Sequence, residues 1–128
     1  MATLLRQMSP RLIAGQYVFC TFPPGKLPDA LAPICTIRET EGVSAICRRS
    51  DAQRLGIPAS GCFRQITLTV HSSLDAVGFL AAVTAELAGA GIACNPVSAF
   101  HHDHLFVPQA DARRALGILR RLSARHRR

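Results

Sequence analysis

Tryptophan is absent from this 128-residue sequence, and aromatic side chains make up only 5% of it. With 48% hydrophobic residues, the core must be aliphatic, built from Leu, Val, Ile and Ala, which suits helices packed on a sheet. Long apolar runs are missing too: the longest, inside Ala76 to Ala90, is broken by Thr84 and Glu86, short of the ~20 residues a membrane-spanning helix needs. The N-terminus carries Arg6 and Arg11 without the apolar stretch of a secretory leader, so a soluble cytoplasmic protein is expected. No C-x-x-C occurs among Cys20, Cys35, Cys47, Cys62 and Cys94, and an odd count leaves no complete disulfide framework, so reduced, mostly buried thiols are expected. Acid is absent from the last sixteen residues, which hold seven arginines, whereas residues 1 to 112 balance eight basic against eight acidic groups. The net charge of +7 thus belongs to one end of the chain.

What is present is a weak internal repeat. In the second half, Gln65 to His71 alternates as a strand, Asp75 to Ala90 reads as a helix, and Gly91 to Ala99 as a strand. His104 to Val107 is a third strand, and Asp111 to Leu122 a closing amphipathic helix with Ala115, Leu116, Leu119 and Leu122 on one face. The order βαββα, with a last strand supplied from elsewhere, is the ferredoxin-like split βαβ arrangement. The first half offers strands at Tyr17 to Phe22, Ile34 to Thr40 and Val43 to Cys47, a hairpin at Glu41-Gly42, and a helix from Ser50. Its first helix is nearly missing, because Pro23-Pro24-Gly25-Lys26-Leu27-Pro28 cannot run as a regular helix. Ser44-Ala45-Ile46-Cys47 and His104-Leu105-Phe106-Val107 align at an offset of sixty residues. Ahead of both halves, Leu4, Leu5, Met8 and Leu12 stand at helical spacing, as in a short docking helix. The expected division is residues 1–62, 63–122 and a basic tail, 123–128.

The loop from Ser72 to Gly78 joins a buried strand to the start of a long helix, where unpaired N–H groups and the helix dipole favour an anion such as a carboxylate. Gly78 leaves room for close approach of a backbone, and Asp75 or the strand residue Asn95 offers acceptors to an ammonium group. Helix capping by Ser73 or Asp75 explains the same residue types about equally well.

Gln65-Ile66-Thr67-Leu68-Thr69-Val70-His71-Ser72-Ser73-Leu74-Asp75-Ala76-Val77-Gly78, followed by Gly91-Ile92-Ala93-Cys94-Asn95-Pro96-Val97-Ser98-Ala99, resembles an ACT domain. His102-Asp103-His104-Leu105-Phe106-Val107-Pro108 sharpens the match. With Tyr17-Val18-Phe19 and Ile37-Arg38-Glu39-Thr40-Glu41-Gly42, the chain is similar to small bacterial tandem-ACT proteins and to the ACT modules of aspartate kinases. The resemblance implies an α+β fold, a ferredoxin-like βαββαβ sandwich repeated in tandem with a truncated first copy. It also implies a non-enzymatic regulator without cofactor that senses a small effector, an amino acid, and pairs as a homodimer. The ligand-binding residues expected are Ser72, Ser73, Leu74, Asp75, Ala76, Val77, Gly78, Cys94 and Asn95.

Other chemistries find less support. In an extended strand His102 and His104 share one face and His101 and Asp103 the other, but a closed zinc site needs about four ligands, so a structural hairpin turn around Asp103 is expected. His71 and Ser72, adjacent on a strand, point to opposite faces and cannot form a base and nucleophile pair with Asp103 as orienter. No phosphate loop or nucleophile elbow occurs, so no catalytic residues are assigned. The arginine-rich end leaves a polyanion-binding role as the alternative, and a purely structural assembly partner as a third, although base-stacking aromatics are missing from the expected sheet.

Overall fold

Proline and glycine set the boundaries of the first elements. In the computed structural model, which describes residues 1–127, helix α1 (Ala2–Gln7) stops before Pro10, with Ser9 at φ +40°. Proline disfavours helical backbone in the residue before it, so the chain leaves the helix and enters strand β1 (Pro10–Leu12). Leu5 and Met8 are buried as a docking helix requires, but Leu12 lies in this strand, not on the helix.

The elements that follow are β2 (Tyr17–Phe22), β3 (Cys35–Glu39), β4 (Gly42–Arg48), α2 (Arg49–Arg54), β5 (Ser60–Leu68), α3 (Phe79–Gly89), β6 (Asn95–Ser98), β7 (Asp103–Pro108) and α4 (Ala112–Arg125). They form two compact units, one from Gly15–Phe63 and the other from Met1–Ala14 together with Arg64–Arg128. The first fourteen residues therefore belong with the second half of the sequence, which a division in chain order does not anticipate. The cause is pairing: Pro10, Arg11 and Leu12 lie antiparallel opposite Leu68, Thr67 and Ile66.

In the Gly15–Phe63 unit the strand order is β3-β4-β2-β5, with β2 antiparallel to β4 and to the start of β5. The turn between β3 and β4 is Thr40-Glu41, one residue before the expected Glu41-Gly42; Gly42, at φ +149°, opens β4 opposite Glu39, and no helix stands between β2 and β3. The prolines of residues 23–28 explain that gap. The core of this unit is small and largely aliphatic, with Val18, Cys20, Phe22, Leu31, Ala45, Cys47 and Ala52 buried.

In the other unit the order β1-β5-β7-β6 completes the ferredoxin-like sheet, with β1 as the strand supplied from outside the βαββα run. Alternation sets which side chains face the helices. Ile66 and Leu68 of β5 and Leu105 and Val107 of β7 pack with Phe79, Val83 and Leu87 of α3 and with Ala115, Leu116, Leu119 and Leu122 of α4. Each Leu or Phe buried there contributes about 1.5 to 3 kcal/mol. Helix α4 runs on to Arg125, so residues 123–125 of the expected tail are helical; Ser123 is buried and donates to the Arg6 carbonyl at 3.0 Å. Arg128 lies outside the described residues. All five cysteines carry free thiols, and no helix of the described residues is long and apolar enough to cross a membrane.

Candidate functional site

The strand expected to reach His71 ends at Leu68, and the segment beyond it is held locally. The Thr69 N–H donates to the Met8 carbonyl at 2.8 Å, and His102 Nδ1 lies 3.3 Å from the Val70 carbonyl. The expected helix at Asp75 begins at Phe79. Residues 72–78 form an irregular loop instead, ending at Gly78 with φ +91°, a left-handed conformation that glycine adopts without strain. Ser73 Oγ accepts the Asp75 N–H at 3.1 Å, closing a turn inside the loop. No side chain caps α3, so neither Ser73 nor Asp75 has the capping role.

The loop, the first turn of α3 and the β6–β7 hairpin enclose a cleft of about 120 Å³. Ser72, Ser73, Leu74 and Ala76 line it from the loop, Phe79 and Leu80 from the helix, and Ser98, Ala99 and Asp103 from the hairpin. Of the residues expected from sequence, Ser72, Ser73, Leu74 and Ala76 meet there. Gly78 lies at the head of the helix, while Asp75 is exposed and Val77 is 89% exposed, outside the lining.

Cys94 and Asn95 are not in the cleft. Asn95 is an exposed residue at the start of β6, opposite Phe106. Cys94 borders a shallow groove beside Ala81, Thr84 and Ala88 of α3, and burial pushes its thiol up to about 11. The sequence counts them as neighbours of the loop because β6 was expected from Gly91; the strand starts four residues later, and its far end, Ser98, reaches the cleft.

The residue sequence reasoning missed is Asp103. It is the first residue of β7, and the alternation that sends Leu105 and Val107 into the core sends Asp103 to the same face, only 7% exposed. Its Oδ2 accepts a hydrogen bond from the Ser72 hydroxyl, itself buried, at 3.1 Å. No arginine, lysine or histidine nitrogen among the described residues pairs with this carboxylate. The hairpin turn lies at residues 99–102, closed by the Ala99 N–H donating to the His102 carbonyl, rather than around Asp103. The available signal was the period-two register with the apolar residues that follow.

His101 and His102 lie in the turn before β7, so strand alternation reaches only His104, on the face opposite Asp103. Its Nδ1 lies 2.9 Å from Thr67 Oγ1 and 3.1 Å from Gln65 Nε2. Burial, reinforced by His102, holds its pKa below the ordinary imidazole value, and Asp103 acts in the other direction. The His71 and His101 rings approach to 6.0 Å. Among the described residues, no three His, Cys, Asp or Glu side chains gather as a metal site would require.

The arrangement is therefore a small cleft lined by the first turn of an uncapped helix and by a buried carboxylate. The first receives negative charge; the second receives a cation or hydrogen-bond donor.

Two ACT-domain family models match the chain, one over residues 1–64 and the other over residues 63–121. No curated protein sequence matches it. Among solved structures, a Vibrio cholerae protein described as of unknown function and a possible transport protein is 44% identical over 95% of this chain and 94% of its own, with a TM-score of 0.86. An Agrobacterium tumefaciens protein covers 89% of this chain and 87% of its own at 18% identity and a TM-score of 0.76. The ligand-free regulatory subunit of aspartate kinase from Thermus thermophilus superposes with a TM-score of 0.68 over 91% of this chain and 97% of its own, at 10% identity, a likeness of fold. The two family matches meet inside β5, where the two compact units also divide, and on these grounds the chain belongs to the ACT-domain family, with two ACT domains in tandem.

Proposed function

We propose that this protein is a non-enzymatic regulator that senses a small amino acid in the cleft between the 72–78 loop and Asp103. The observation that carries the reading is Asp103: a carboxylate 7% exposed, without a cationic partner among the described residues, lining a cleft that the first turn of an uncapped helix also lines. Burying such a group is costly unless something pairs with it. An amino acid supplies both complements, its ammonium group to Asp103 and its carboxylate to the first N–H groups of α3. The volume of about 120 Å³ and the apolar contacts available from Leu74, Phe79, Leu80 and Ala99 favour a short side chain. The family membership and the aspartate kinase regulatory subunit among the structural neighbours support regulation over catalysis.

Leu74, which lines the cleft, and Val77 and Phe100, in the loop and in the hairpin turn, are 68%, 89% and 72% exposed. A second copy of the chain covering these apolar side chains would close the site, so the regulator acts as a homodimer, and as a soluble protein of the cytoplasm.

A thermal-shift screen of the twenty amino acids tests the proposal. A ligand present at about 100 times its dissociation constant stabilises by about 2.7 kcal/mol, a clear rise in midpoint. Glycine, alanine, serine or threonine is expected to respond, and the response is expected to vanish in D103N. If no amino acid shifts the midpoint, the sensing role is refuted.

A further inference from the structure

We propose that the Gly15–Phe63 unit carries a separate site for a small phosphate-bearing anion, formed by Arg48 and Arg49. These residues end β4 and begin α2, and with Gln16, Ser50 and Gln53 they line a notch of about 260 Å³. None of these residues belongs to the cleft described above.

Both arginines are exposed, and each contacts a neighbour that carries no negative charge. The Arg48 guanidinium carbon lies 5.9 Å from the centroid of the Tyr17 ring, within cation–π range. Its Nη1 sits 3.2 Å from the point a Cβ on residue 15 would occupy, so glycine there, at φ +103°, leaves the space it fills. Arg49 is anchored twice to Gln16: its backbone N–H donates to the Gln16 carbonyl at 2.9 Å and its Nη1 to Gln16 Oε1 at 3.4 Å. Among the described residues neither arginine meets a carboxylate. The nearby acid, Asp51, is engaged by Arg54 at 3.4 Å.

Both arginines line the same notch without a carboxylate among the other lining residues, so an anion entering it meets two positive charges and no acid. The lining consists of two guanidinium forks, a serine hydroxyl and glutamine amides, all able to donate, with no carboxylate to oppose an anion. A doubly charged tetrahedral oxyanion answers both forks, whereas a single carboxylate answers one. The notch is compact and sits in the part of the chain whose basic and acidic residues balance, so it fits one phosphate group rather than a polyanion track.

Isothermal titration of the full chain with inorganic phosphate and pyrophosphate at low salt tests the site. Saturable binding is expected, weakened about tenfold or more in R48Q/R49Q and within about twofold of wild type in R120Q/R121Q, a matched charge change on α4. A second measurement needs no variant: in the wild-type NMR spectrum, phosphate should move the Arg48, Arg49 and Ser50 resonances first. Failure of either anion to bind saturably overturns the proposal. So does an equal loss in R120Q/R121Q, or retention of an oligonucleotide alone, which would assign phosphate affinity to α4. Because the amino-acid screen reads a different cleft, either result stands independently of the other.

Discussion

Replacing Asp103 with asparagine separates a binding role from a structural one, because the two predict opposite signs. The carboxylate is 7% exposed and accepts one side-chain hydrogen bond, from Ser72 at 3.1 Å, with no cationic partner among the described residues. Taking a carboxylate largely out of water without a cationic partner costs free energy even when it accepts a hydrogen bond, and a cost of about 1 to 3 kcal/mol is the scale for such a group. Asparagine keeps the shape and still accepts the Ser72 proton through Oδ1, but sheds the charge. D103N should therefore stabilise the ligand-free protein by about 1 to 2 kcal/mol in urea unfolding, equivalent to about 3 to 8 °C in Tm for a chain of this size. Affinity for an ammonium-bearing ligand should fall by about ten- to one-hundredfold, the worth of a charge-assisted hydrogen bond. A site that gives up stability for binding behaves in this way. If D103N lowers the urea midpoint instead, while leaving any amino-acid response intact, Asp103 is a structural anchor for Ser72 and the reasoning fails.

A Cβ on Gly42 would fall 2.3 Å from the Phe22 carbonyl oxygen at a φ of +149°, so G42A should lose about 2 to 3 kcal/mol; a change within about 0.5 kcal/mol in urea would contradict the turn geometry. Burial holds the folded pKa of His104 below the ordinary imidazole value of about 6.5, so the unfolded chain takes up the proton first as pH falls. Its contribution is thus intact above that value and is lost as pH drops from about 6.5 through the lowered folded value; H104Q should flatten this part of the stability profile between about pH 7 and pH 5.

Strands with flanking turn signals were the most legible parts of the sequence. Tyr17–Phe22 matches its expected span, and the apolar face of α4 is the one its periodicity indicates. The start of α3 was not legible, because Ala76, Val77 and Leu74 suit a helix as well as a loop. What decides it is the left-handed backbone at Gly78, which sequence composition does not encode. The site followed from that boundary. Ser72 and Ser73 were visible as a loop beside a helix start, but Asp103 stands 31 residues from Ser72, and only the side-by-side pairing of β5 and β7 brings them together. Among the histidines around it, Asp103 read most simply as a turn residue, since local sequence reports neighbours along the chain and not across a sheet.

The placement of residues 1–14 with residues 64–128 bears on how the molecule is made. One unit is a continuous stretch of chain, and the other joins two segments far apart in sequence: β1 waits for Ile66 to Leu68, and the carbonyl of Arg6 waits for the hydroxyl of Ser123, 117 positions later. On a ribosome, the Gly15–Phe63 segment can fold as it emerges, while Leu5 and Met8 stay exposed until β5, α3, β7 and α4 have followed. Residues 1–14 are thus an apolar segment in need of shielding while the residues up to 122 are made, and α4 is among the elements that relieve it.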